Sequence, residues 1–338
     1  MHEGSLTEWA ARQTLTELIG KVASEGANLQ RQTMAGGTEA AETVLFTARY
    51  DSNGRKVLRF VVKQLSGRPR REAEIYARLV QQHAPKLGPR LLGIHRRGET
   101  LLLVIEAVRG KNAWPWRDNA STAGLLCEVG RFHAKLDGAD IRMPEWDYEA
   151  ELVQAGQSAV EALDRCRYVK ELRPLSRDLR PLNRIVEALP RLRGQLLAEK
   201  PFHRRPIHGD VHPGNALIRG TSPARPVLLD WGRAREGSPL EDASSMLQSL
   251  RLWEPEALSA HDSLIKHYLS GLGMERRLTE SVRSAYWVAG ASNALAGALT
   301  MHLWEALDEN RDEQQRASAA WLAQNWLRVI RRSHAWAL

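Results

Sequence analysis

His208-Gly209-Asp210-Val211-His212-Pro213-Gly214-Asn215 is the stretch that decides the reading, together with Leu228-Leu229-Asp230-Trp231-Gly232 a short distance on. It holds a carboxylate, Asp210, and a carboxamide five positions later, Asn215; a second carboxylate, Asp230, follows 15 residues beyond that. Oxygens of Asp and Asn are hard donors suited to Mg²⁺. A carboxylate beside such a pair can accept a hydroxyl proton or hold the hydroxyl for attack. The runs 216–219 and 227–230 read as short strands. A strand, a turn and a returning strand would bring Asp230 back beside Asn215. The same stretch admits another chemistry. His208, Asp210 and His212 alternate, and such a trio could bind Zn²⁺ or Fe²⁺ in a metal-dependent hydrolase. That reading leaves Asn215 without a role.

Outward from this stretch the chain changes character. Ser5-Leu6-Thr7-Glu8 is a capping box that opens a helix, continued by a stripe of Leu15, Leu18, Ile19 and Val22. β-rich runs at 44–50 and 57–63 flank Asp51-Ser52-Asn53-Gly54, and Asn-Gly marks a hairpin because both residues tolerate positive φ. Residues 70–82 read as a helix stopped by Pro85, and 91–95 and 101–107 as a strand pair turned at Arg97-Gly98-Glu99. Helical periodicity then dominates, over 122–136, 149–170, 182–199, 240–252, 256–272, 278–303 and 314–332. The expected class is α+β, with a small antiparallel β lobe over 1–108 and a larger helical lobe over 109–338. The border falls where Gly110, Asn112 and Pro115 interrupt regular structure.

His-x-Asp-x-x-x-x-Asn followed by Asp-x-Gly is the pattern of the protein-kinase catalytic and metal loops. His-Gly-Asp-x-His-x-x-Asn with the later Asp-Trp-Gly resembles more closely the aminoglycoside phosphotransferase family, which includes choline-kinase-like enzymes, over roughly residues 36–242. The resemblance implies a two-lobe protein-kinase-like fold. It also implies a phosphotransferase that uses Mg²⁺ and ATP or GTP to phosphorylate a hydroxyl of a small molecule. By matching positions, Asp210 resembles the catalytic base, and Asn215 and Asp230 the Mg²⁺ ligands. His208, His212 and Asp242 (in Pro239-Leu240-Glu241-Asp242) match positions that support the site.

In the N-terminal lobe the resemblance asks for a strand lysine on the nucleotide phosphates. Lys63 fits, ahead of Lys56 and Arg59 on the same run. Its carboxylate partner on the next helix is Glu72 rather than Glu74, because Leu79 follows Glu72 at the family spacing. Gly36, Gly37 and Thr38 resemble the family's short phosphate-covering loop. The main chains of Glu106 and Val108 would receive the base, and Trp114 and Trp116 would pack the lobe junction. Gly209 stands where protein kinases carry Arg, and no Ala-Pro-Glu follows Asp230, which argues against loop phosphorylation and a peptide substrate. The helical insert 149–199 and the C-terminal helices would form the acceptor pocket. An antibiotic sugar, an amino-alcohol or another metabolite would fit, in resistance or in metabolism. The remaining alternative is a catalytically inactive kinase-like binding protein, although every catalytic residue type is present.

Composition excludes other classes. The chain has 338 residues, 43% hydrophobic and 26% charged, ordinary values for a globular protein. Cys127 and Cys166 are too few for a disulfide framework, and Met1 to Leu6 lacks a signal-peptide profile, so a cytoplasmic location is expected. No Gly-x-x-x-x-Gly-Lys-Ser/Thr loop occurs, which excludes a P-loop NTPase. Residues 284–304 carry no Asp, Glu, Lys or Arg, long enough for a membrane span. They are rich in Ala and Gly and include Asn293, Thr300 and His302, so a buried helix is expected and no span. The net charge of +8 invites nucleic acid, but no dense basic run is interleaved with aromatics, and no such partner is expected. Glu305, Asp308, Glu309, Asp312 and Glu313 recur at three- and four-residue spacing. That spacing predicts a carboxylate stripe on one side of a helix, able to attract a cationic acceptor. The preferred reading is a solvated helix end or surface turn, given Asn310 and Arg311.

Overall fold

The computed structural model describes residues 5–34, 40–51, 55–110, 113–220 and 225–338. Gly36, Gly37 and Thr38, the Asn53-Gly54 turn and Asn112 lie outside the described residues. The chain divides into two compact units, one of 1–113, 140–144 and 215–234, the other of 114–139, 145–214 and 235–338.

The first unit opens with α1 (Leu6–Ile19), capped by the Ser5 hydroxyl on the Glu8 amide, and α2 (Lys21–Glu25). A five-stranded sheet follows, made of β1 (Asn28–Thr33), β2 (Glu42–Arg49), β3 (Val57–Leu65), β4 (Leu91–Arg97) and β5 (Thr100–Glu106). It is antiparallel throughout, in the order β1-β2-β3-β5-β4. Between β3 and β4 runs a helical stretch: α3 (Arg71–Ile75), a π turn (Tyr76–Val80) and α4 (Gln81–His83). Alternation along the strands sends Val44, Phe46 and Ala48 of β2, Phe60 and Val62 of β3, and Leu102 and Val104 of β5 into one core with Ala10, Ala11 and Leu15 of α1. The same alternation puts Lys63 on the opposite face from Val62. Strand β1 was not expected, because its sequence Asn-Leu-Gln-Arg-Gln-Thr is polar and it lies exposed at the sheet edge.

The second unit holds α5 (Asn119–Lys135), α6 (Tyr148–Arg165), α7 (Leu179–Ala198), α8 (Pro239–Trp253), α9 (Ala257–Gly271), α10 (Glu280–Asn293), α11 (Leu299–Leu307) and α12 (Glu313–Ala337). Two three-residue strands, β6 (Arg205–Ile207) and β9 (Arg235–Gly237), pair antiparallel. Helices α5 and α9 approach closely because both are bare where they cross. A Cβ on Gly271 would collide with the Cys127 carbonyl, and one on Gly130 with that of Tyr268. The uncharged run 284–304 lies in α10, a π turn (Ala294–Ala298) and α11, with Tyr286, Ala289, Leu295, Leu299 and Leu303 buried. Among the described residues no helix is long and apolar enough to cross a membrane.

Of the two readings of Glu305 to Glu313, the structure shows the helix end and turn. Helix α11 ends at Leu307 and α12 starts at Glu313, so Asp308 to Asp312 form a turn rather than a helical side. Glu305 pairs with His302 at 2.9 Å and with Arg311 at 2.8 Å. Asp312 caps α12 in a capping box with Gln315. These groups serve the turn and present no aligned row of negative charge.

Candidate active site

In the first unit the site is built on Lys63, Glu72 and Asp230. Lys63 Nζ donates to Glu72 Oε1 at 2.7 Å and to Asp230 Oδ1 at 3.0 Å. Glu72 is buried on the first turn of α3, while Glu74 is exposed and faces Arg78, so Glu72 is the residue that reaches the lysine. Burial alone would lower the Lys63 pKa, but the two carboxylates outweigh it and hold the ammonium above its ordinary range. Lys56 is exposed.

Asp230 arrives through the hairpin β7 (Ala216–Arg219) and β8 (Arg225–Leu228). The strand stops two residues earlier than its sequence suggests, because Asp230 takes a left-handed conformation, φ 55° and ψ 71°. Asp is one of the few side chains that tolerate it, and such a held conformation is a mark of functional turns. The Leu229 amide donates to the Asn215 carbonyl at 2.7 Å, which sets the residue before Asp230 against Asn215. Trp231 is fully buried and donates to the Leu228 carbonyl. Arg71, the neighbour of Glu72, donates to the carbonyls of Gly232 at 2.6 Å and Ala234 at 2.7 Å. Two adjacent α3 residues thus grip the turn, one through Lys63 and one through its backbone. At the end of β5, Glu106 donates its amide to the Arg90 carbonyl and pairs its carboxylate with Arg219 at 3.0 Å. Val108 follows, partly exposed.

In the second unit the loop 208–214 is held from behind. Asp242 is fully buried in the first turn of α8, and its oxygens accept the amides of His208 at 2.8 Å and Gly209 at 2.7 Å. His133 Nε2 lies 3.0 Å from Asp242 Oδ2, and Tyr268 Oη 3.0 Å from His133 Nδ1. An ionised carboxylate only accepts, so the imidazole donates to it through Nε2. Burial pushes the Asp242 pKa up, but the His133 hydrogen bond, the two imidazoles and the loop amides prevail and hold it below the usual range. The close crossing of α5 and α9 is what places Tyr268 at His133. Gly209 has φ 79°, a conformation that glycine adopts without a Cβ penalty. His208 is buried and its Nδ1 accepts the Asp210 amide at 3.2 Å. His212 Nδ1 accepts the Gly214 amide at 3.0 Å. Asp210 keeps its carboxylate partly exposed, 3.8 Å from His212 Nε2. Behind the loop lies a buried cluster: Arg235 donates to the Gly209 carbonyl at 3.2 Å and to Glu241 at 2.8 Å, and Arg193 to Glu241 at 2.7 Å.

Sequence reasoning missed Arg71, His133, Arg193, Arg235 and Glu241. Glu241 adjoins Asp242 and could have been flagged as a second carboxylate of the same helix start. Arg71, His133 and Arg193 meet their partners from distant parts of the chain, and Arg235, six residues before Glu241, stands in no motif that would single it out.

The donors Asn215 and Asp230 fit a hard cation: one amide and one carboxylate, both partly exposed, set together by the hairpin. Among the described residues no three of His, Cys, Asp and Glu are placed to hold a metal ion. The alternating trio His208, Asp210 and His212 is therefore not a ligand cluster; its imidazole Nδ1 atoms are taken by loop amides.

The model of the phosphotransferase enzyme family (APH) matches residues 34–280, well over half of the chain. No curated protein matches the chain in sequence. Solved structures share its fold. A putative aminoglycoside phosphotransferase from Ralstonia eutropha superposes with a TM-score of 0.60 at 14% identity, over 97% of this chain and 98% of that one. The amicoumacin kinase hAmiN, in complex with AMP-PNP, Ca²⁺ and Ami, gives 0.59 at 16%, over 97% and 96%. The ethanolamine kinase of Plasmodium vivax gives 0.59 at 12%, over 97% and 89%. With its α+β protein-kinase-like fold and this match, the chain belongs to the phosphotransferase enzyme family and is an enzyme of that family.

Proposed function

We propose that the protein transfers the γ-phosphoryl group of ATP or GTP to a hydroxyl of a small molecule. The observation that carries this reading is Lys63, shared between Glu72 at 2.7 Å and Asp230 at 3.0 Å. A strand lysine, a helix carboxylate and the aspartate of Asp-Trp-Gly, brought together across 167 residues of sequence, is what nucleotide phosphates require. Lys63 remains cationic and would steady phosphate oxygens, with Glu72 fixing its position. Asn215 and Asp230 would hold Mg²⁺, which when bound neutralises charge on the phosphates. Gly36, Gly37 and Thr38 remain the candidates for covering them, and the main chains of Glu106 and Val108 for receiving the base.

Asp210 is the group for the acceptor. As the acceptor oxygen bonds to phosphorus and the bond to the nucleoside diphosphate breaks, the hydroxyl proton passes to the Asp210 carboxylate. Asp242, His133, His208 and Arg235 keep that loop from shifting, which matters because transfer of this kind depends on position more than on covalent help. The test is transfer of label from [γ-³²P]ATP or GTP to a panel of hydroxylated antibiotics, amino-alcohols and sugars, with Asp210→Asn as blank. A labelled organic product absent from the blank is expected. Label appearing only as inorganic phosphate, with every acceptor and both nucleotides, would contradict the reading.

A further inference from the structure

Away from the loop 208–214, the second unit contains a cavity of about 730 Å³ among α8, α9, α10 and α12. That is within the size range of small-molecule sites. Its walls carry five arginines: Arg251, Arg283, Arg328, Arg331 and Arg332. Carboxylates account for only two. Arg283 is paired with Asp262 at 2.7 Å, and Arg331 with Asp178. Among the described residues, Arg251, Arg328 and Arg332 have no carboxylate partner. Arg251 donates to the Asn325 carbonyl, and Arg328 to the Asn325 side chain at 3.1 Å, both neutral acceptors. Partial burial, then the nearby Arg328, Arg331 and Arg332, pull the Arg251 pKa down to about 10. Packing guanidinium groups together at this cost is unfavourable unless an anion joins them.

The remaining wall is aromatic and neutral. His261 stacks on Trp287 with centroids 6.0 Å apart, and its Nε2 lies 2.9 Å from Tyr286 Oη. Gln248 donates to that same phenol oxygen at 2.8 Å, and burial first of all holds the His261 pKa below its ordinary value. Rings on one side limit water and strengthen charge pairing on the other.

The cavity is separate from the loop. Helices α8 and α10 run antiparallel: Ser292 meets Glu241 at one level and Tyr286 meets Gln248 at another. Arg251 lies nine residues beyond Asp242, about 13 Å along α8 at 1.5 Å per residue. A group held by Arg251 therefore sits a long way down the helix from the end that grips His208 and Gly209.

We infer that this cavity binds a small phosphate-bearing polyanion through Arg251, Arg328 and Arg332, at a site distinct from the phosphoryl-transfer loop. Forked guanidinium donors match phosphate oxygens two at a time, and several of them suit a group with more than one negative charge. The inference stands independently of the proposed reaction. It is tested by calorimetric titration of the full chain with inorganic pyrophosphate in magnesium-free buffer. Three proteins are compared: wild type, Lys63→Met, and the double variant Arg328→Gln/Arg332→Gln. The two replaced arginines are exposed, so the fold should survive, as circular dichroism would confirm. Saturable binding is expected in wild type, unchanged within about threefold in Lys63→Met and at least about tenfold weaker in the double variant. No binding to wild type, equal affinity in the double variant, or loss of binding in Lys63→Met would each overturn the inference, the last by assigning the anion to the nucleotide site.

Discussion

In the proposed reaction, Asp210 and Lys63 divide the work between acceptor and nucleotide. Lys63 has two carboxylates within 3.0 Å, whereas Asp210 is partly exposed beside the backbone-engaged His212. Asp210→Asn keeps the size and polarity of the side chain but removes its capacity to take a proton. Turnover should fall by ~10²–10⁴ while nucleotide binding stays within a few fold. Paired rate and binding measurements check it, and a variant retaining a tenth of wild-type turnover would remove Asp210 from its role. Much at this scale was legible. His208 to Asn215 and Asp230 lie in one compact motif, and the seven-residue spacing to Leu79 separated Glu72 from Glu74. Arg71 was not legible, since nothing in Arg-Glu shows that both side chains of an adjacent pair reach the same turn. His133 was illegible for a different reason: its partner Asp242 lies 109 residues away.

Among elements, α8 matters most, because its first turn holds the loop. Asp242→Ala would leave two amides and an imidazole N–H without their acceptor in a fully buried site. The loss should be roughly 3–5 kcal/mol of stability. The pH dependence has a definite sign. A carboxylate whose pKa is depressed in the fold contributes stability that is present above its ordinary value of 3.8 and is lost as pH falls through the lowered value. Denaturant titrations between neutral pH and about pH 2 should therefore show a steeper acid limb in wild type than in Asp242→Asn. Equal limbs would show that Asp242 is not ionised in the fold. Elements were read well where burial was strong, as in β3, β5 and α8, because periodicity reports burial. β1 is an exposed edge with no alternation to read. The acidic segment was ambiguous because three- and four-residue spacing also suits a turn between helices, which is what forms there. Asp312 three residues before Gln315 was the capping signature that marks the start of α12.

At the scale of the whole molecule, the excess of positive charge is not spread as a coat. Five arginines line one cavity of the second unit, while Lys63, the residue proposed to meet phosphate, belongs to the first. Net charge alone invited nucleic acid, and only the fold separates the proposed nucleotide site from the arginine-lined cavity. The α+β class and the kinase-like fold were legible because one motif constrains both. The acceptor was not, since the helices that would line its pocket carry no comparable signature. The proposed function requires that Lys63, Asn215 and Asp230 form a metal-dependent nucleotide site. Its most direct test is calorimetry of AMP-PNP and of the corresponding guanine analogue, with and without Mg²⁺, on wild type and Asp230→Ala. At least one nucleotide should bind wild type only with Mg²⁺ present, and Asp230→Ala should weaken that binding by about tenfold or more. Binding of neither nucleotide to wild type, or an unchanged Mg²⁺-dependent affinity in Asp230→Ala, would contradict it.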